Sequence, residues 1–135
     1  MTVTAIVERS KDGLYSIYSD DRIGRDCFGG YGESVAEAKN DFMISIREAI
    51  ENAQKDGFDN VPVYEAVNVS FKYDIPSFFN YFDFFNVSKF ASYAGINESR
   101  MRAYKSGAVF PGERTTKKIL KAVQNIVREM SAASF

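Results

Sequence analysis

The sequence predicts an α+β protein in two parts: a small β-sheet with one long helix, followed by an all-α helical domain. Three observations predict it. Residues 2–8 are rich in Val, Ile and Thr, and residues 14–18 resume with alternating Leu/Ser and aromatic residues, so both read as strands. From residue 35 the apolar spacing changes to steps of three and four, the period of a helix buried along one face. No strand-like segment follows Pro76. Charge changes with pattern. Residues 1–75 carry eight Lys and Arg against fourteen Asp and Glu, a net of −6; residues 76–135 carry nine against four, a net of +5. The expected domains are therefore 1–75 and 76–135.

Each element has a local reason. Lys11-Asp12-Gly13 supplies the hairpin turn between the first two strands. Residues 20–26 are polar around Gly24 and read as a loop. Residues 27–32 read as a third, short strand loosened by Gly29, Gly30 and Gly32. Ser34 caps a helix of about five turns, and Glu37 three residues later completes a capping-box pattern. Val35, Ala38, Phe42, Ile46, Ala49 and Ala53 form its buried face, and Asp56-Gly57 ends it. Residues 60–65, with Pro62, lead to a fourth strand over 66–73. Pro76 suits a helix start. Phe78, Phe79, Phe82 and Phe85 follow at helical spacing with few cations beside them, so they read as core or domain interface and not as a platform for unpaired bases. Helices at 88–94 and 98–106 are stopped by Gly95 and Gly107, and Pro111-Gly112 marks the loop before a last helix at 114–130. That helix carries Ile119, Leu120, Val123, Ile126, Val127 and Met130 on a broad apolar face.

Composition removes several classes of chemistry. The chain has 135 residues, no histidine and a single cysteine, Cys27. Histidine-dependent triads, zinc sites built on His or on four Cys, and internal disulfides are all excluded. No run approaches the roughly 18 apolar residues of a membrane span, and MTVTAIVERS lacks the features of a signal peptide. The expectation is a cytoplasmic protein with no membrane contact, no enzymatic activity, no cofactor and no metal. Cys27 has no basic pocket around it in the sequence and reads as a packed or incidental thiol. Asp20, Asp21 and Asp26 bunch in a loop and read as solvated acids. FGGYGESVAEAK, residues 28–39, is not a phosphate loop: the third glycine of a dinucleotide fingerprint and the Gly-Lys-Ser/Thr of a P-loop are both missing.

The densest local pattern is VSKFASYAGINESRMRAYKSG, residues 87–107. Ala91 offers a small side chain where two helices approach. Gly95 permits the left-handed turn, Ile96 anchors it, and Asn97 caps the next helix. Met101 and Tyr104 face a core, which leaves Ser99, Arg100, Arg102 and Lys105 outward. With the Pro111 loop and a further amphipathic helix, the segment resembles the helix-turn-helix of the lambda-repressor/Cro-like family. The resemblance implies that the helix beginning at Asn97 enters the major groove of double-stranded operator DNA. Glu98, Ser99 and Arg100 fall on the family's reading positions, Arg102 and Lys105 lie further along, and Lys117 and Lys118 are candidates for phosphate. Glu98 departs from the Gln common at its position. The competing reading is a helical hairpin in a core with solvated cations.

Upstream, a hairpin and a loop lead to Gly32-Glu33-Ser34-Val35-Ala36-Glu37-Ala38 at the start of a long helix. This resembles the HicB antitoxin domain, which runs through a glycine-containing loop to Gly-x-(Ser/Thr)-x-x-Glu-Ala; Gly32, Ser34, Glu37 and Ala38 carry the match. Residues 22–27 replace the proline usual in that loop. The resemblance implies a partial ribonuclease-H-like fold, a basic, RNA-cleaving HicA-type toxin as partner, neutralisation by occlusion, and autorepression through the helical domain. A two-fold operator implies a homodimer or higher oligomer. A working ribonuclease H needs a metal-binding carboxylate inside the first strand, and residues 2–7 have none. The second reading is a free-standing helix-turn-helix regulator whose N-terminal domain senses a ligand or assembles the oligomer.

Overall fold

A computed structural model describes residues 1–135. It is an α+β chain of four strands and five helices, divided into two compact units, Met1–Asp83 and Phe84–Phe135.

The first unit is built by alternation. In β1 (Thr2–Arg9), Val3, Ala5 and Val7 are fully buried while Thr2, Thr4 and Glu8 meet water. The hairpin turn closes through Ser10 N–H to the Leu14 carbonyl at 2.7 Å, with Gly13 at φ +83° and the Asp12 carboxylate accepting from Leu14 N–H. β2 (Tyr15–Tyr18) buries Tyr15 and Ile17 beside β1, and β3 (Gly29–Gly32) pairs antiparallel with β2. α1 (Val35–Lys55) crosses back so that β4 (Asn68–Tyr73) lies parallel to β1. The sheet order is β3-β2-β1-β4. One helix face covers one sheet face, and the core between them includes Val3, Ala5, Val7, Ile17, Phe28, Val35, Ala38, Phe42 and Ile46.

Local details follow the sequence with shifts of a residue or two. Ser34 Oγ accepts from Glu37 N–H at 3.1 Å. Glu37 reaches back to Glu33 N–H and not to the capping residue's own, so the box is closed one position early. The segment 20–26 is more than a polar loop. Ile23 is buried, bridges to Asp26, and Gly24 sits 2.9 Å by its missing Cβ from Ala53 of α1. A 3-10 turn, Tyr64–Ala66, precedes β4.

The boundary between the halves is later than expected. α2 (Ile75–Tyr81) is capped by Asp74, whose carboxylate accepts from Ser77 N–H, and Pro76 is its second residue. The helix belongs to the first unit: Phe79 is buried, Asn80 accepts from Val35 N–H at 2.9 Å, and Tyr73 of β4 packs on Phe78, Tyr81 and Phe82. The expected division at 75/76 therefore moves to 83/84. With it, the first unit carries eight basic and fifteen acidic residues and the second nine and three, so the charge asymmetry sharpens to −7 and +6.

The second unit consists of α3 (Val87–Ala94), α4 (Glu98–Ser106) and α5 (Glu113–Ala132). Its buried side chains are Phe90, Ala91, Met101, Tyr104, Ile119 and Ala122. Of the broad apolar face of α5 only Ile119 and Ala122 are buried within the unit, while Leu120, Val127 and Met130 stay more than half exposed.

Candidate nucleic-acid interface

α3 and α4 form a tight pair for reasons local to the caps and the turn. Asn86 caps α3 through Lys89 N–H, and Ala91, with no exposed surface, lets the helices approach. Gly95 takes φ +70°, a conformation a Cβ would oppose, and Ile96 N–H closes onto the Ala91 carbonyl at 2.9 Å. Asn97 accepts from Arg100 N–H at 3.1 Å and starts α4. Gly107, again left-handed, ends it. Ile96 is half-buried, less than the full burial expected of a turn anchor.

The expected site residues do not all stand in the same state. At about 100° per residue, Ser99, Arg102 and Ser106 lie opposite the buried pair Met101 and Tyr104, while Arg100 and Lys105 flank that outward face on either side. Arg102 is tethered along the helix, 3.8 Å from the Glu98 carboxylate and donating to Ser99 Oγ at 3.3 Å. Arg100 and Lys105 are exposed. Asn97 spends its side-chain oxygen on the cap. Lys117 pairs with Glu113 at 3.1 Å, and Lys118 donates to the Gly95 carbonyl at 3.2 Å, so it braces the turn between α3 and α4. The exposed pairs Glu98–Arg102 and Glu113–Lys117 hold their cations weakly and release them readily to a phosphate. Sequence reasoning missed the brace by Lys118, because no spacing rule links positions 95 and 118. It also passed over Lys89, Arg114 and Lys121, further exposed cations of this unit.

In the first unit the acids of the loop have structural partners. Asp21 accepts from Thr4 N–H and from Ser19 Oγ, extending the β1–β2 ladder with side chains, and Asp26 accepts from Asn52. No group of three or more His, Cys, Asp or Glu is gathered as a metal site. Cys27 is exposed. No helix is long and apolar enough to cross a membrane.

The group with the strongest shift is Lys39 on α1. Its ammonium lies 3.4 Å from the ring centre of Tyr81, 4.2 Å from Phe71 and 5.0 Å from Tyr73, and it donates to the Tyr73 hydroxyl. The rings favour the cation, but burial opposes it, and the pKa is held down to about 8 from the ordinary 10.5. Burial, and then the neighbouring Tyr81, pushes Tyr73 up to about 12. Between pH 8 and 10.5 the unfolded chain holds the Lys39 proton that the folded chain has lost, so stability rises with pH there. Above pH 10 the unfolded chain loses the Tyr73 proton first, and stability falls. Lys39→Met, which fills the same space without the charge, is expected to flatten the rise between pH 8 and 10. Melting temperatures of both proteins across that range check it, and parallel curves would contradict the assignment.

No model of a known protein family, no curated protein and no solved structure matches the chain.

Proposed function

We propose that the chain is a HicB-type antitoxin of a type II toxin–antitoxin pair, acting in the cytoplasm without a cofactor and without catalysis of its own. Its helical unit is a helix-turn-helix of the lambda-repressor/Cro-like kind that binds operator DNA and represses its own operon. Its α+β unit covers a basic, RNA-cleaving HicA-type toxin and blocks it by occlusion. The observation that carries this reading is α4: a short helix capped by Asn97, locked at Gly95 and Gly107, and presenting Ser99, Arg100, Arg102 and Lys105 to solvent. The opposed charges of the units support the division of labour. A net of +6 suits phosphate, and a net of −7 suits a basic protein.

A lone helix-turn-helix makes few phosphate contacts, and half-sites one helical turn apart call for a two-fold dimer. The exposed Leu120, Val127 and Met130 of α5 offer apolar surface for self-association. The full chain is therefore expected to bind its operator as two copies per site. Arg100→Ala should cost ~1–3 kcal/mol and relax preference at one base position. Lys117→Ala should weaken all duplexes alike and flatten the salt dependence. Titrations of an operator duplex and its point variants read both effects. Unchanged affinity in both proteins, or one copy per duplex, would refute the groove assignment.

A further inference from the structure

The sheet has one face under helices and one face bare, and the bare face has its own chemistry. Residues of one register row, Gly29, Tyr18, Ile6 and Lys72, lie side by side across β3, β2, β1 and β4; Tyr31, Ser16 and Glu8 form the next. Tyr18 and Tyr31 are diagonal neighbours on this face, 44% and 48% exposed. These are large aromatic surfaces to leave in water on a sheet whose other side is fully packed. Each hydroxyl is bound to a carboxylate: Tyr18 donates to Glu8 at 3.2 Å and Tyr31 donates to Asp12 at 2.8 Å. Burial and the charge of Glu8, with Asp20 adding to it, raise the Tyr18 pKa, and the bond to Asp12 is the main cause raising that of Tyr31. The salt bridges Arg102–Glu98 and Lys117–Glu113 lie in α4 and α5; none holds Glu8 or Asp12.

We infer that this bare sheet face is the docking surface for a basic protein partner, with the pairs Tyr18–Glu8 and Tyr31–Asp12 each receiving an arginine or lysine side chain. The chemistry selects that occupant. A guanidinium stacks flat on a tyrosine ring while its edge donates to a carboxylate beside the ring, so each pair presents both halves of an arginine receptor. The same carboxylates repel phosphate, which turns single-stranded nucleic acid away from rings that would otherwise stack its bases. The unit's net of −7 extends the complementarity beyond the two pairs and speeds encounter with a cationic partner. The sheet edge beside them is closed. Asp41 and Ser45 of α1 accept from Tyr31 N–H and Gly29 N–H, so β3 has these donors already satisfied and the partner meets the face and not this edge. The inference rests on the antitoxin reading for the partner's identity but names surface residues that reading leaves open.

The test uses the full chain, isotopically labelled, and an arginine-rich peptide as probe, followed by heteronuclear NMR. Shifts are expected to concentrate on residues of the bare face, with Tyr18 and Tyr31 foremost. Glu8→Gln with Asp12→Asn, and separately Tyr18→Thr with Tyr31→Thr, should each weaken the peptide about tenfold or more. Glu48→Gln with Glu51→Gln removes the same charge from exposed positions of α1 and should change affinity less than about twofold. Circular dichroism confirms that each variant is folded, and the carboxamide pair carries the test if the threonine pair is not. Equal losses in both charge-matched variants would show diffuse attraction and overturn the proposal, as would shifts centred on α1, preferential binding of oligouridylate, or protection of Tyr18 and Tyr31 by self-association. Operator binding by the helical unit is unaffected by any of these outcomes, so failure of the docking surface is separable from failure of the antitoxin reading.

Discussion

Gly30→Ala is expected to destabilise the first unit strongly. A Cβ at this position would lie 2.2 Å from the Ala38 carbonyl oxygen, 2.6 Å from Phe42 N and 2.8 Å from Phe42 Cβ. Two of these atoms are backbone of α1, which cannot rotate away, so β3 must lift from the helix. Lifting it opens the packing around Phe42, a fully buried ring with edge contacts to Phe28 and Phe71. Overpacking against side chains costs about 1–3 kcal/mol, and against backbone on two sides the loss should reach the top of that range or exceed it. With domain stabilities near 5–15 kcal/mol, that is a large share of the total. Gly57→Ala makes the contrast. Nothing lies within 4 Å of its Cβ, and the cost is only that of φ +74°, about 1–2 kcal/mol. Urea midpoints of the two variants should differ accordingly. A Gly30→Ala protein as stable as Gly57→Ala would contradict the close approach of β3 to α1.

Met101→Ala is expected to abolish the second unit's fold and, with it, the proposed DNA binding. Met101 has no exposed surface, and Phe90, Tyr104 and Ile119 are the unit's other large buried side chains. Truncation of a buried Met costs about 2–5 kcal/mol, and a unit of this size has little stability in reserve. Arg100→Ala touches no core residue and should leave the helical signal intact while changing base preference. Circular dichroism and duplex titration on both variants separate loss of fold from loss of contact. If Met101→Ala keeps full helicity and affinity, the core is not organised around that residue.

Much of this architecture was legible because single residues carry steric demands. Ser34, Gly95, Asn97 and Gly107 fixed helix ends that the structure places within a residue or two of expectation, and the alternation in β1 set its inward face. The α+β class followed from those same patterns. The misplaced boundary has a physical cause. Pro76 marks a helix start but says nothing of which core the helix joins; Tyr73, Phe78 and Phe82 decide that through ring contacts visible only in space. For a related reason the apolar face of α5 was readable but not how much of it stays uncovered, since a helical period reports the face and not what covers it; Leu120, Val127 and Met130 are exposed. At the candidate interface, residue types and the outward face were readable; the i,i+4 pairs Glu98–Arg102 and Glu113–Lys117 were not drawn from the spacing and emerge in the structure. The bracing of Gly95 by Lys118, and the caging of Lys39 by rings from β4 and α2, join distant positions and leave no local trace.

In the proposed function α4 reads DNA. A fluorescence-anisotropy titration of the full chain against duplex from the region upstream of its own gene, beside a scrambled duplex of equal length, tests it most directly. Affinity for the upstream duplex is expected to exceed that for the scrambled one at least about a thousandfold, with both weakening steeply as salt rises. Equal affinity for the two duplexes, or no binding to either at low salt, would contradict it.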